Sequence, residues 1–405
     1  MRFCFYNPHL IDILGESLFA FFFLWGNPAK RNRRLGFMLQ MLRQPECPTA
    51  IVVDGTLSSM PFRRLGRIFN NARFIRIFSF FEIYVWLVIN RINPFTQTVI
   101  FSSDGLDPAK DVLFGFAFLS KTFFDTELTD RSSFTQFKGK KILHATHFYE
   151  NTEMVAENVR RAGVYAMVAE VDLMFSPYFR KHFSFIRKIV LLPFGLRERY
   201  VSTAPFLSRK NKCVALGTLA FFPDEHGPTT AHRDFFGTNT LHPMRKEIFD
   251  RMPELDHALD SLIVAHKKNP QNSKWGIFKV VWANINPAAK EYHKFDIIST
   301  YNAYRMFVSP EENIGQPSIN TIEGMACGCA YVGIDSPMYA DIGLIRGIHY
   351  VSYDGTATGL ARTVADYQGR PEELARIAET GRRFVTDYFR PERVIHAFVK
   401  SVRSL

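Results

Sequence analysis

The sequence predicts an α/β fold made of two Rossmann-like domains that face each other across a cleft. Three observations support this prediction. The chain has 405 residues, which is too long for one ordinary domain. Its hydrophobic fraction of 47% is enough to fill two cores. Short apolar segments of strand character alternate with helical segments along both halves, as expected for parallel sheets covered by helices.

The first half opens with the strand-like sequence MRFCFY. Several of its other strand candidates end in polar or turn residues, as in IVVDGT, VIFSSDG and ILHATHFYE. Parallel sheets bind ligands beyond the carboxyl ends of their strands, so we expect functional residues at these positions. A helix is predicted at Thr152–Ala162, and strands are predicted at Ala50–Val53, Thr98–Phe101, Lys141–His144, Asp172–Phe175 and Lys188–Pro193.

A polar and basic stretch at residues 197–212 separates the halves, so we assign residues 1–200 to the first domain and 201–388 to the second. After a break at Arg390-Pro391, the last residues form an amphipathic helix within a terminal segment, 389–405. The second half repeats the alternation of strands and helices. Its candidate elements are CVALGTL, Gly276–Trp282, Tyr304–Val308, Ala330–Ile334, Gly347–Ser352 and the long helix Pro371–Tyr388.

The stretch PSINTIEGMACGCAYVGIDS, residues 317–336, combines a lone glutamate with many small residues. We predict a helix that is capped by Ser318 or Asn320 and ends near Gly328. The first turn of a helix presents unpaired N–H groups that bind phosphate, and the carboxylate of Glu323 can accept hydrogen bonds from vicinal hydroxyls such as those of ribose. The small residues allow close packing on neighbouring strands. The alternative is that Glu323 lies on a solvated helix face.

This stretch resembles the sugar-nucleotide glycosyltransferases of the GT-B fold, whose second domain carries a Glu-(Ala/Gly)-Met-Ala-x-Gly-x-x-x-Val motif. The match includes Glu323, Met325, Ala326, Gly328 and Val332. The resemblance implies that the terminal helix crosses back to the first domain. It also implies transfer of a sugar from a nucleotide-diphosphate donor to a glycan or lipid-linked acceptor, as in bacterial O-antigen or capsule assembly. The donor-binding residues would include Ser318, Asn320, Thr321 and Glu323.

The sequence departs from this family at one position. Retaining members carry a second glutamate eight positions before the one that matches Glu323, and here that position is Gly315. Glu311 and Glu312 lie slightly earlier and can supply the missing catalytic carboxylate, although paired acids in a loop are often simply solvated. We favour a retaining reaction.

A second basic group is predicted to hold the donor diphosphate. The segment FFGTNTLHPMRKEIFDRM places Gly237 and Thr238 in a turn and Arg245 and Lys246 at the start of a helix. Together they can bind a diphosphate without metal, and we expect neither a metal nor any other cofactor. The alternative is an exposed basic helix face.

Two histidines end a strand of the first half. His144 and His147 in ILHATHFYE can face the crevice of a parallel sheet. The resemblance supports contact with the donor sugar for this loop, and His147 can act as a base toward an acceptor hydroxyl. The alternative is a pair of capping histidines.

Basic and aromatic residues alternate at about residues 60–94, and the chain carries a formal charge of +11. A helix there would place Phe62, Leu65 and Ile68 on one side and arginines on the other, as in helices that lie on an anionic membrane. A core helix with a basic outer face fits equally well. A nucleic-acid partner is not expected, because the sequence has no motif for base recognition.

We expect a cytoplasmic protein that associates peripherally with the inner face of the plasma membrane. The five cysteines are an odd number without metal-type spacing, which favours a reducing compartment. No cleaved signal segment and no apolar run of bilayer length is predicted. Two other functions remain open: a nucleotide-sugar epimerase of the same fold, and a non-catalytic subunit that binds donor or glycan.

Overall fold

The computed structural model describes residues 1–8, 33–44, 47–53, 72–116, 132–221, 229–266 and 295–405, with the single residues 10, 14 and 18. The chain divides into two units. The first contains residues 1–169, 182–192 and 395–405, and the second contains residues 170–181 and 193–394.

Seven described strands form the sheet of the first unit, in the order β3-β2-β1-β4-β5-β6-β7. All of the pairings in this sheet are parallel, as the alternation of elements predicts. Nearly every residue of its central strands is buried. The strands are β1 Arg2–Tyr6, β2 Thr49–Val52, β3 Thr98–Ile100, β4 Asp111–Gly115, β5 Lys140–His144, β6 Ala166–Ala169 and β7 Ile189–Leu191.

The next helices all lie within the described residues of the first unit. They are α1 Arg33–Leu42, α2 Ala72–Ile89, α3 Ser133–Gln136 and α4 Thr152–Arg161. Helix α4 agrees with its predicted bounds to one residue. Helix α5, Pro177–Phe183, begins in the residues of the second unit.

Five described strands form the sheet of the second unit, in the order β12-β11-β10-β8-β9 and again with parallel pairings. Numbered from its first strand, this is the order 2-1-3-4-5 of flavodoxin-like sheets. The predicted strand Gly276–Trp282 lies outside the described residues. The strands are β8 Lys210–Ala220, β9 Leu259–His266, β10 Tyr304–Val308, β11 Ala330–Ile334 and β12 Val351–Tyr353.

The described helices of the second unit are α6 Thr230–Phe236, α7 Pro243–Asp250, α8 Met252–Leu255, α9 Ile297–Ala303, α10 Ile319–Ala326, α11 Pro337–Asp341, α12 Ala357–Gln368 and α13 Pro371–Tyr388. One apolar core joins the sheet of this unit to helices α7, α8, α12 and α13. The last helix, α14 Pro391–Arg403, begins in the second unit and ends in the first. Within the first unit, its Phe398 packs against Phe3 and Phe114.

The predicted strand Asp172–Phe175 is wrong. Residues Leu173–Phe175 form one turn of 3₁₀ helix instead. The side chain of Asp172 accepts a hydrogen bond of 2.9 Å from the backbone N–H of Met174. Aspartate commonly stabilises a turn through such a local bond, which competes with strand formation.

Two findings bear on the environment of the chain. None of the helices in the described ranges has the length and hydrophobicity needed to cross a bilayer. The five cysteines are all buried and form no disulfide.

Candidate active site in the second unit

The sheet of the second unit has a topological switch point between β8 and β10, because the chain proceeds from β8 to β9 on one side and returns to β10 on the other. Open parallel sheets bind ligands beyond the carboxyl ends of the strands at such points. Helix α7, which follows the turn after α6, brings Arg245 to this position. Arg245 is only 7% exposed.

The guanidinium of Arg245 bridges the two strands at the switch point. Its Nη1 donates to the Thr218 carbonyl over 3.0 Å, and its Nε donates to the Pro310 carbonyl, just beyond β10, over 3.1 Å. The side chain crosses Gly217, where an added Cβ would lie 2.6 Å from Nε. Burial lowers the pKa of Arg245 to about 10, so it remains charged at neutral pH.

The guanidinium of Arg245 has a hydrogen-bond donor that these two contacts do not use. Within the described ranges Arg245 forms no ion pair, and its Nη2 makes no hydrogen bond. The charges of Glu312 and Glu311 act on Arg245 without forming an ion pair with it. A buried positive charge with a free donor and no contacting carboxylate favours an anionic ligand. The alternative of an exposed basic face therefore fails for Arg245.

The other predicted phosphate ligands lie elsewhere. Lys246, the next residue on α7, forms an ion pair with Asp250 and keeps a 43% exposed side chain. Gly237 ends α6 in the left-handed conformation, and its N–H donates to the Arg233 carbonyl over 2.7 Å. The Thr238 hydroxyl accepts a 3.4 Å hydrogen bond from the N–H of Thr240. These three residues do not share the contacts of Arg245.

Glu311 is buried and held by two tyrosines. Its Oε1 accepts a 2.9 Å hydrogen bond from the Tyr331 hydroxyl and a second bond from the Tyr339 hydroxyl. The two hydroxyls are 2.7 Å apart. Burial, reinforced by the charge of Glu311, raises the pKa of both phenols, so both remain protonated donors. Glu311 is therefore not a solvated loop acid.

Glu312 differs from its neighbour because its side chain is 30% exposed. Its Oε1 lies 3.7 Å from Nε2 of His242, the residue before α7. Burial lowers the pKa of His242, and the nearby Glu312 opposes this shift. The buried Nδ1 of His242 has no hydrogen-bond partner in the described part of the chain. His242 was not singled out from the sequence, although it directly precedes Pro243 and the basic pair of α7.

Gly315, at the position where retaining relatives carry glutamate, has a φ of +85°. Residues with side chains rarely adopt this conformation. A glutamate here would require a different loop path. Of the two candidate acids, Glu311 is buried and Glu312 is partly exposed to solvent.

Helix α10 begins after Ser318, as predicted, and ends before Gly328. The Ser318 hydroxyl does not cap the helix but lies 2.9 Å from the Ser309 hydroxyl at the end of β10. The Asn320 side chain also reaches Ser309, over 3.4 Å. Thr321 is buried within the helix. Because no side chain caps the helix at Ser318, the first N–H groups are left for another acceptor.

Glu323 is 3% exposed, which excludes the solvated-face alternative. It forms a hydrogen bond with the hydroxyl of Tyr200, which also accepts a 2.8 Å bond from Arg199. Burial and the charge of Glu323 raise the pKa of Tyr200. The small residues behave as predicted, since a Cβ added to Gly324 would lie 2.4 Å from the ring of Phe307 on β10.

The two histidine candidates belong to the first unit. His144, in β5, is buried and stacks on Phe116 with the ring centroids 5.4 Å apart. The His147 ring is hydrogen-bonded to the Tyr149 hydroxyl, and its backbone has a φ of +48°. The following helix is capped by Asn151, so neither histidine is its N-cap.

The described residues contain no cluster of three or more His, Cys, Asp or Glu side chains with metal-binding geometry. Within the second unit, Arg245 is instead the buried cation at the switch point. Of the charged residues that the sequence pointed to, Arg245, Glu311 and Glu323 are buried, whereas Glu312 and Lys246 are partly exposed.

Comparisons with known proteins agree with this architecture. Residues 253–400 match the family described as Glycosyl transferase-like. No curated protein matches the sequence. Solved structures with a similar fold include Anabaena HepE in complex with UDP and glucose, which is 13% identical over 100% of both chains with a TM-score of 0.50. Another is sucrose-phosphate synthase from Thermosynechococcus elongatus, which is 11% identical over 100% of this chain and 98% of that chain, with a TM-score of 0.50. The chain therefore has the fold of these solved structures, and its residues 253–400 resemble glycosyl transferase-like proteins.

Proposed function

We propose that this protein is a glycosyltransferase that moves a sugar from a nucleotide-diphosphate donor to a glycan or lipid-linked acceptor, in the assembly of bacterial cell-surface polysaccharide. The observation that carries the donor assignment is the buried, unpaired charge of Arg245 at the switch point of the second sheet. The HepE structure contains UDP and glucose, which supports a uridine nucleotide as the first donor to test.

Arg245 would neutralise the diphosphate in the ground state and the additional charge that develops as the sugar leaves. Two backbone carbonyls fix the guanidinium in place, so little reorganisation is needed when that charge appears. The free N–H groups at the tip of α10 would bind the same diphosphate. These groups together allow departure of the nucleotide without a metal.

Glu323 would accept hydrogen bonds from the ribose hydroxyls. In the ligand-free structure its carboxylate bonds to Tyr200, so the ribose would replace one hydroxyl donor with another. This exchange avoids leaving a buried carboxylate without a donor at any stage. Ser318, Asn320 and Thr321 would shape the same helix tip.

Glu312 and His242 would contact the transferred sugar. Glu312 is the partly exposed acid of the pair and lies 3.7 Å from the imidazole of His242. We propose retention of anomeric configuration, with Glu312 replacing the carboxylate that is absent at position 315. His147 is the candidate base or sugar ligand of the first unit. Analysis of the anomeric product by NMR tests this assignment.

The donor assignment is tested by thermal shift with UDP, GDP, CMP and their sugars. A ligand that binds only the folded protein raises its stability by about 2.7 kcal/mol at a concentration of 100 times Kd. We expect one nucleotide diphosphate to stabilise the protein. Glu323→Gln should weaken that binding by about tenfold or more, because it removes the charged acceptor of the ribose hydroxyls.

The matched control is Lys246→Met, which removes a neighbouring positive charge that is paired with Asp250 on the exposed side of α7. It should change the Kd by less than about threefold. The donor assignment is wrong if no nucleotide stabilises the protein, or if Glu323→Gln and Lys246→Met have equal effects. Turnover of a nucleotide sugar without any acceptor would indicate an epimerase instead.

A further inference from the structure

Helix α2, Ala72–Ile89, exposes a continuous apolar stripe. Ile77, Phe81 and Val88 are 66%, 62% and 52% exposed, and Phe80 is 49% exposed. Their spacing places them on one side of the helix together with Tyr84. Phe95, in the short turn after the helix, is 84% exposed and packs edge-on against Tyr84 with ring centroids 5.5 Å apart. We call these six residues the outer face of α2.

Among the described side chains, the opposite side of the helix is buried and mainly apolar, with Ser79 and Glu82 as its polar members. Ile83, Trp86 and Leu87 are buried in the first unit. A helix that packs with one face on a core normally carries polar residues on the other. Helix α2 is therefore apolar on both sides, and its outer face needs an explanation beyond the packing of the first unit. A patch of this kind on a folded protein usually marks an interaction surface.

The charges around the outer face are of one sign. Glu82 is the only acidic residue in the sequence from Ala72 to Gln97, and it is buried. Arg76 and Arg91, by contrast, are exposed at positions beside the stripe. The preceding sequence adds Arg63, Arg64 and Arg67, which lie outside the described residues. Within residues 72–97, exposed aromatic side chains are thus combined with exposed charges of positive sign only.

We propose that the outer face of α2 lies flat on an anionic lipid bilayer. Aromatic and aliphatic side chains would enter the headgroup region, while the arginines would contact lipid phosphates. The helix is 18 residues long, about 27 Å, so it offers an extended contact parallel to the surface. A second copy of the chain is a poorer occupant, because a symmetric pair would bring the same arginines into one interface.

The proposal is tested by cosedimentation of the full chain with vesicles, in the absence of donor and acceptor. We expect binding to vesicles of equal parts phosphatidylglycerol and phosphatidylcholine and little binding to phosphatidylcholine alone. Raising the salt concentration should weaken the binding, because the arginines are exposed. This measurement does not depend on sugar transfer, so it can succeed or fail independently of the proposed function.

Two kinds of variant separate the apolar and electrostatic contributions. The double variant Phe80→Ser, Phe81→Ser should weaken partitioning by at least about tenfold. Arg76→Glu and Arg91→Glu should each weaken it by about fivefold or more. The matched control is Phe175→Ser, which removes a 46% exposed phenylalanine of the second unit and should leave partitioning unchanged.

Three outcomes overturn the proposal. The first is the absence of binding to anionic vesicles by the wild-type chain. The second is an equal loss of binding in the Phe80, Phe81 double variant and in Phe175→Ser. The third is a wild-type dimer, seen by sedimentation, that the double variant converts to a monomer, since the outer face would then bind a second copy. Circular dichroism of each variant establishes that the helix content is retained.

Discussion

The two parallel sheets differ most clearly at their switch points. In the first sheet the switch point lies between β1 and β4. There Asn7, directly after β1, donates from its side chain to the Phe116 carbonyl, beyond β4, over 2.7 Å. In the second sheet the gap between β8 and β10 is bridged by Arg245 through two backbone carbonyls. A neutral amide lies at one switch point and a buried cation at the other.

This difference shows that topology alone does not create an anion site. Both sheets provide strand ends that converge, but the first surrounds its switch point with aromatic rings, among them Phe5, Phe114 and Phe116. Among the described residues, only those of the second sheet combine a charge at this point with an uncapped helix tip beside the next strand. We therefore expect donor binding to depend on the second switch point and to be nearly independent of the first.

The largest expected effect is that of Arg245→Met, which keeps an unbranched apolar stem and removes the guanidinium and its charge. The rate of sugar transfer should fall by on the order of a hundredfold or more, because the developing charge on the diphosphate loses its fixed counter-charge. Donor affinity, measured by calorimetry, should also fall. The free energy of unfolding should also fall, because the Thr218 and Pro310 carbonyls lose their donor, so retention of the fold is checked by circular dichroism.

Asn7→Ala is the counterpart at the first switch point. It should lower the free energy of unfolding by about 1–3 kcal/mol, because the buried Phe116 carbonyl loses a donor. Donor affinity should nevertheless change by less than about threefold. If Asn7→Ala reduced donor affinity as much as Arg245→Met, the contrast between the two switch points would be wrong.

A smaller effect is expected from pH, through His232 in α6. This histidine is fully buried against Phe236 and Tyr178, and burial lowers its pKa from 6.5 to about 4. The charge of Glu312 opposes this shift, and His242 adds to it. Between these two pH values the unfolded chain binds a proton that the folded chain does not bind. The free energy of unfolding should therefore decrease, by about 2–3 kcal/mol, as the pH falls through this window.

The test is the pH dependence of chemical denaturation. His232→Phe should flatten the decline between pH 6.5 and 4, whereas His257→Gln, at an exposed histidine, should leave it unchanged. An unaltered slope in His232→Phe would assign the acid sensitivity to other groups. The side chain of Asn7, at the first switch point, does not titrate. Asn7→Ala should therefore retain the full wild-type slope.

Local patterns in the sequence predicted much of this architecture. The period of the apolar residues and the turn residues correctly indicated most of the described strands, but fewer than half of the described helices. The small residues behind Glu323 indicated a helix pressed against a strand, and Gly324 does lie against Phe307, although the Ser318 side chain does not cap that helix. Such features depend on residues close together in the chain.

The features that were not predicted depend on contacts distant in sequence. Arg245 and Lys246 are adjacent, yet a helix rotates each residue by about 100° from the last, so only the packing of α7 decides which one is buried. Glu311 gave no sign of its burial, because its partners Tyr331 and Tyr339 follow 20 and 28 residues later. His242 and Tyr200 were missed for the same reason.

The smallest effect that sharpens the contrast is expected for Tyr339→Phe. The Tyr339 hydroxyl donates to Glu311, which follows directly after the Pro310 carbonyl that holds Arg245. Loss of this donor should cost about 1–2 kcal/mol of stability, because the acceptor is a buried carboxylate. Tyr350→Phe is the matched control, since it removes a bond to the neutral Ile334 carbonyl within the same aromatic cluster. If Glu311 supports the loop that positions Arg245, Tyr339→Phe should weaken donor binding by a few-fold, and Tyr350→Phe should not. Equal donor affinities in Tyr339→Phe and Tyr350→Phe would limit Glu311 to a role in stability.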